Sequence, residues 1–140
     1  MKEKILSFII NEDNKFLLLK GSESDPQFHK SLWYVVTGAK EDIDNDLFDT
    51  VRREVKEETN LEIENIIDMN WSFQYESLGE MCNEYAFISK VKNTEIILNE
   101  ESIEYEWLNL EEFINKIDWF YDKKELKEKL NKIILETICK

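Results

Sequence analysis

Histidine is almost missing from this chain, His29 being the only one in 140 residues. A histidine-rich zinc site and a Ser-His-Asp triad therefore have almost no material to work with. Cysteine is scarce too: Cys82 and Cys139 lie far apart, form no C-x-x-C pair and come with no signal peptide, so a reducing cytoplasm is the expected setting. The apolar runs extend over only a few residues, against the ~20 that a membrane helix needs, so no segment is expected to cross a bilayer. Positive charge is in deficit as well. Eighteen Lys and Arg against 31 Asp and Glu leave a formal charge of -13, which disfavours a nucleic-acid or anionic-membrane surface. The same field repels a phosphorylated small molecule unless a bound cation inverts it. If a metal is used, carboxylates hold it.

What remains is sufficient for one core. Hydrophobic residues make up 42% and aromatics 12%, and the length suits a single domain over 1–140 better than two. The chain is organised around residues 33–61. A β-prone run, 33–36, leads into an expected Thr37-Gly38 turn and an acidic loop. A helix follows, centred on Arg53-Glu54-Val55-Lys56-Glu57-Glu58. At about 100° per residue, Glu54, Glu57 and Glu58 share one helix face. Three neighbouring carboxylates repel one another unless a cation sits among them, and a hard divalent ion preferring oxygen ligands is the natural partner.

Along the chain, residues 5–10 and 15–20 read as two strands joined by a turn at 11–14. Residues 21–31 carry Gly, Ser, Asp and Pro26 and read as a loop, in which Phe28, His29 and Lys30 could reach a ring or a phosphate. The helix is predicted over 46–59, with Leu47, Phe48, Val51 and Val55 as its buried stripe and Asn60 closing it in the left-handed conformation. Residues 62–75 read as one long strand or two short ones, 76–82 as a loop, and 83–91 as a strand; 95–98 adds a short strand, and a last one surrounds Tyr105, Trp107 and Leu108. Helices over 110–117 and 123–139 end the chain, the second with Leu126, Leu130, Ile133, Ile134 and Ile138 at helical spacing. Strands, helix, strands, helices without regular βαβ alternation predict an α+β sandwich around a mixed sheet. Trp71 and Phe73 are candidates for a dimer surface.

Gly38, the acidic loop, and Arg53-Glu54-Val55-Lys56-Glu57-Glu58-Thr59-Asn60-Leu61 together resemble the signature box of the Nudix hydrolases. That box runs Gly, five residues, Glu, seven residues, then Arg-Glu-apolar-any-Glu-Glu-any-Gly-apolar. Its second half matches at every position but the closing Gly, which is Asn60. Between Gly38 and Arg53 stands one residue more than the pattern has, so the first Glu of the box falls on Asp44 or on Asn45. Within the family, the segment around Glu101 with Trp107-Leu108, together with Trp33, Val36-Thr37-Gly38 and Trp119, is similar to bacterial dihydroneopterin triphosphate pyrophosphatases.

The resemblance implies an α/β/α sandwich and a magnesium- or manganese-dependent hydrolase cutting a diphosphate linkage in a nucleoside or pterin triphosphate. A dinucleoside polyphosphate or nucleotide-sugar hydrolase is the alternative, as is a module that keeps the fold and only binds or senses nucleotides. By this analogy Glu54, Glu57 and Glu58 are metal ligands, helped by a backbone carbonyl near Thr37 and Gly38, and Arg53 orients the glutamates by bidentate pairing. Glu101 is the expected base, with Glu100 and Glu104 as rivals, and Glu41 matches a usually acidic position. Trp33 and Tyr34 are candidates to stack on a base or pterin ring, and Lys20 completes the expected substrate contacts. The expected partners are a small nucleotide-like substrate and at most a second copy of the chain.

Overall fold

The computed structural model of the protein describes residues 1–22, 31–92 and 95–138. Phe28, His29, Lys30 and Cys139 lie outside the described residues. Strand β1 (Lys2–Ile10) runs into a tight turn in which the Asn11 side chain accepts hydrogen bonds from the Asp13 and Lys15 amides, both at 2.9 Å. Asn14 takes the left-handed conformation there, φ 59°, which its short polar side chain tolerates. Strand β2 (Phe16–Gly21) follows. It touches β1 only at Ile10 opposite Phe16 before the two diverge. Into the opening go β3 (Trp33–Tyr34), antiparallel to β2, and β4 (Val36–Ala39), antiparallel to β1. The expected Thr37-Gly38 turn is thus extended strand, with Gly38 opposite Ile5.

Helix α1 (Leu47–Thr59) starts where the Asp46 side chain accepts from the Asp49 amide and ends at Asn60, φ 68°, whose amide donates to the Lys56 carbonyl. The Asn60 cap was legible as a sequence signal, whereas Asp46, expected as the first helical residue, stands just before the helix as its N-cap. The buried stripe of the helix differs in two places, Leu47 being only half-buried. Val51 and Val55 are fully buried, whereas Phe48 remains 39% exposed and rests edge-on against Phe87. The polar residues Thr50, Glu58 and Thr59 take buried positions instead.

Strand β5 (Ile63–Ser77) is one long strand with an irregularity between Asp68 and Ser72, where Asn70 has φ 52°. A two-residue turn at Leu78 and Gly79, both with positive φ, joins it to the antiparallel β6 (Glu80–Val91), so the loop expected at 76–82 shrinks to a tight hairpin. Strand β6 lies parallel to β1, with Lys4 beside Glu84, which makes the sheet mixed. The strand expected at 95–98 does not form. The Ile97 amide donates to the Thr59 carbonyl instead, and Ile96 and Leu98 pack beneath the end of α1. Strand β7 (Ser102–Leu108) pairs with β2, and helices α2 (Leu110–Lys116) and α3 (Lys123–Ile133) follow, the last running into a π-helical turn over Ile134–Ile138.

Side-chain alternation on β1 explains the layering. Leu6, Phe8 and Ile10 face one way and pack with Phe113, Trp119, Leu126 and Leu130 of the C-terminal segment. Ile5 and Ile9 face the other way, against Val51 and Val55 of α1. The result is the α+β sandwich around a mixed sheet that the element order predicted, in the α/β/α form that the resemblance implied. Trp71 and Phe73 pack against the first of these cores, Phe73 stacking on Tyr121 at 4.4 Å.

Candidate active site

Arg53, on the second turn of α1, is the hub of the site. Its side chain is only 18% exposed, and its Nε and Nη2 grip the two oxygens of Asp44 at 3.1 and 2.8 Å. Nη2 also donates to the Ala39 carbonyl at 3.0 Å, tying helix to strand. Nη1 lies 2.8 Å from Glu54 Oε1, 3.2 Å from Glu41 Oε2 and 3.5 Å from Glu57 Oε2. The two-toothed contact expected with the glutamates therefore goes to Asp44. The physical reason is the fold of the acidic loop: the Glu41 amide and the Thr50 hydroxyl both donate to Asp44 Oδ2 at 3.0 Å and turn its carboxylate towards the guanidinium. Asn45 is exposed, and its amide caps Asp49 instead. Of the two residues on which the first acid of the box could fall, Asp44 is the one that faces Arg53.

Hydrogen bonding to Arg53 holds the Asp44 carboxyl well below the usual carboxylate range, against the opposing effect of burial. Reciprocally, Asp44 and Glu54 raise Arg53 above the ordinary guanidinium value. This pair remains charged at working pH.

Gly38 carries the second structural requirement. A Cβ placed there would stand 2.2 Å from Glu54 Cδ and 2.5 Å from its Oε1. Glycine is needed for space and not for a turn, because the Glu54 carboxylate occupies the volume a side chain would take. Glu54 is thereby pressed against β4 while Arg53 holds it from the helix side.

Gly38 and Glu54 open onto a cleft of about 300 Å³. Thr37, Gly38, Glu54 and Glu58 line it, and Glu101 enters at the start of β7. Glu100 and Glu104 are not among the described residues lining it; Glu104 pairs with Lys20 at 3.4 Å. Tyr34 contributes to the wall, whereas Trp33 does not, its ring being covered by Lys116 Nζ at 4.1 Å and Lys20 Nζ at 5.9 Å. The alternation of adjacent strand residues separates the two aromatics. Lys2 and Lys4 line the cleft and were not foreseen. Glu41 and Glu57 stay at the rim on Arg53, with side chains 62% and 53% exposed.

Among the described residues, no three acidic side chains converge as a preformed metal cage. The donor chemistry nonetheless fits a hard divalent cation, because Glu54 and Glu58 offer oxygen ligands side by side on successive helical turns. Magnesium in particular is held by one or two carboxylates, with water and substrate phosphates completing its shell.

Strand β4, Gly38 and the acidic face of α1 meet at this cleft, an arrangement suited to hydrolysis of a phosphoanhydride bond. The NUDIX domain family model matches residues 3–130, and the chain belongs to that family. The chain is similar to the crystal structure of a MutT protein from Methanosarcina mazei, at 26% identity over 94% of this chain and 95% of that one, with a TM-score of 0.76. It is also similar to a C. elegans Ap4A hydrolase, at 21% identity over 97% and 99% of the two chains and a TM-score of 0.75. The E. coli dihydroneopterin triphosphate pyrophosphohydrolase shares 21% identity over 90% and 92%, with a TM-score of 0.67. The last two likenesses show the fold alone. No curated protein sequence matches the chain. No helix among the described residues is long and apolar enough to cross a membrane.

Proposed function

We propose that this chain, as one domain over 1–140, is a magnesium- or manganese-dependent pyrophosphohydrolase that cuts a nucleoside or pterin triphosphate into the monophosphate and pyrophosphate. The observation that carries this reading is Glu54, seated where a Cβ on Gly38 would be and held by Arg53 Nη1 at 2.8 Å, with Glu58 beside it in the cleft.

Glu54 and Glu58 would hold the divalent ion, with Glu57 joining from the rim and a backbone carbonyl near Thr37 and Gly38 assisting. When bound, such an ion neutralises the charge of the diphosphate oxygens and makes coordinated water more acidic. Arg53 keeps Glu54 in place while itself locked by Asp44. Glu101 accepts the proton of the attacking water; the water oxygen bonds to phosphorus, the bridging P–O bond breaks, and pyrophosphate leaves. Lys2 and Lys4 are placed in the cleft to offset phosphate charge in a chain of net charge -13, which suits them better to that task than Lys20, held by Glu104. The buried free thiol of Cys82 is compatible with a reducing cytoplasm.

The test is a panel of GTP, ATP, dihydroneopterin triphosphate, Ap4A and a nucleotide sugar, with products identified by phosphorus NMR. Magnesium-dependent release of pyrophosphate is expected, abolished by EDTA and restored by added metal. Glu54→Gln and Glu57→Gln should each lose about tenfold or more in kcat. Absence of metal-dependent turnover across the panel refutes the proposal, while cleavage of Ap4A or the nucleotide sugar alone would favour the alternative hydrolase.

A further inference from the structure

A second cavity of about 280 Å³ adjoins the cleft, sharing Tyr34 and Ser77 with it. Its walls are aromatic, formed by Tyr34, Tyr75, Phe120 and Tyr121; of the two carboxylates that line it, Glu76 is exposed and Glu84 is buried. Glu84 is only 4% exposed, although it lies on the inward face of β6 with Cys82, Ala86 and Ile88. An acid on an otherwise apolar strand face is costly unless something uses it. The Tyr75 hydroxyl donates to Glu84 Oε2 at 3.1 Å, fixing the carboxylate. Lys4, beside Glu84 on the neighbouring strand, places its ammonium 5.7 Å from the centre of the Tyr75 ring. Burial raises the Glu84 pKa, opposed by Lys4 and by the Tyr75 hydrogen bond.

We propose that this aromatic pocket takes the heterocycle of the substrate and that Glu84 selects rings presenting an N–H beside an exocyclic amino group, the 2-amino-4-oxo edge shared by guanine and pterins. A carboxylate has only acceptors to offer, and that edge offers two adjacent donors, so the two match as a bidentate pair. Adenine presents an acceptor nitrogen beside its amino group and leaves one carboxylate oxygen facing a lone pair. Discrimination by a buried hydrogen-bonding group is steep, because the wrong ligand strands the site's own polar atom. The ring would lie against Tyr34, Tyr75 and Phe120 while the phosphates extend past Tyr34 and Ser77 into the acidic cleft. This inference deepens the triphosphate pyrophosphohydrolase reading and rests on it for the direction of the phosphates.

The test separates the two. Binding of GMP and AMP to the full chain, measured calorimetrically without metal, should favour GMP at least fivefold, and Glu84→Gln should remove that preference. A difference below fivefold, no binding of either nucleotide, or a preference unchanged in Glu84→Gln overturns the assignment. Tyr75→Phe, which keeps the ring and loses only the hydroxyl, gives a second reading should Glu84→Gln fail to fold; it should weaken GMP at least threefold, and unaltered affinity counts against the pocket. In turnover, GTP should exceed ATP at least tenfold in kcat/KM, and Glu84→Gln should lose that ratio mainly through KM. Hydrolysis of GTP and ATP at equal kcat/KM would overturn this inference and leave the hydrolase standing. GMP selectivity without any turnover would do the reverse.

Discussion

Replacing Asp44 by Asn tests the hub of the site with the least change of shape. Asp44 accepts from Arg53 Nε on Oδ1, and from Arg53 Nη2, the Glu41 amide and the Thr50 hydroxyl on Oδ2. An asparagine has one acceptor oxygen and one NH2, so whichever way it is flipped at least one of these donors meets another donor. Orienting the oxygen as Oδ2 keeps three contacts and breaks the Nε arm. The charge is lost in either orientation. Hydrogen bonds to charged groups contribute roughly 1.5–3 kcal/mol each, and breaking a fully buried ion pair costs roughly 3–5 kcal/mol. Arg53 retains some solvent and three glutamate neighbours. We therefore expect Asp44→Asn to cost about 2–4 kcal/mol, which for a domain of this size lowers Tm by about 10 °C. Urea denaturation across a pH series measures it. Because the folded pKa of Asp44 is depressed below its ordinary value of 3.8, its stabilisation is complete above that pH and is lost as pH falls through the lower folded value. The gap between wild type and variant should thus be constant from about pH 5 to about pH 8, above the range in which an ordinary aspartate titrates, and narrow in more acidic solution. A cost below about 1 kcal/mol, or a gap indifferent to acid, would refute the role assigned to this pair.

Two further outcomes follow from local geometry. Gly38→Ala forces its Cβ into the volume of the Glu54 carboxylate, so kcat should fall about tenfold or more, while the unfolding free energy from urea denaturation changes by under ~1 kcal/mol because the displaced group is a side chain at a cleft wall; unchanged kcat would show that the position of Glu54 is immaterial. Asn60→Ala should cost about 1–2 kcal/mol by denaturation, since Asn60 has φ 68° and its side chain donates to the Glu95 carbonyl, whereas Asn60→Gly should lie within about 0.5 kcal/mol of wild type; equal losses would point to the side-chain bond and not the backbone.

What the residues alone determined is what is written locally. The 3.6-residue recurrence through Val51 and Val55, with Asp46 before it and Asn60 after it, specifies α1 because periodicity and end signals act within a few residues. The same holds for placing Glu54 and Glu58 on one helix face. The partners of those residues were beyond such reading, since Asp44 and Asn45 are equivalent until the loop folds over Thr50. Glu101 is distinguished from Glu100 and Glu104 only by the folded turn before β7, where the Ser22 amide and hydroxyl donate to the Glu101 and Glu100 carbonyls, and of the three it alone lines the cleft among the described residues. Phe48, expected in the buried stripe, stays partly exposed and edge-on to Phe87, a placement decided by how α1 sits on the sheet. Glu84 did leave a trace, as the one acid in the inward alternation of 82, 84, 86 and 88, but its meaning arises only when β6 is laid parallel to β1 and Tyr75 is brought across from β5. Helices and caps are decided by neighbours in the chain; a site is decided by sheet register, which joins residues some eighty positions apart and is settled by burial of the whole core.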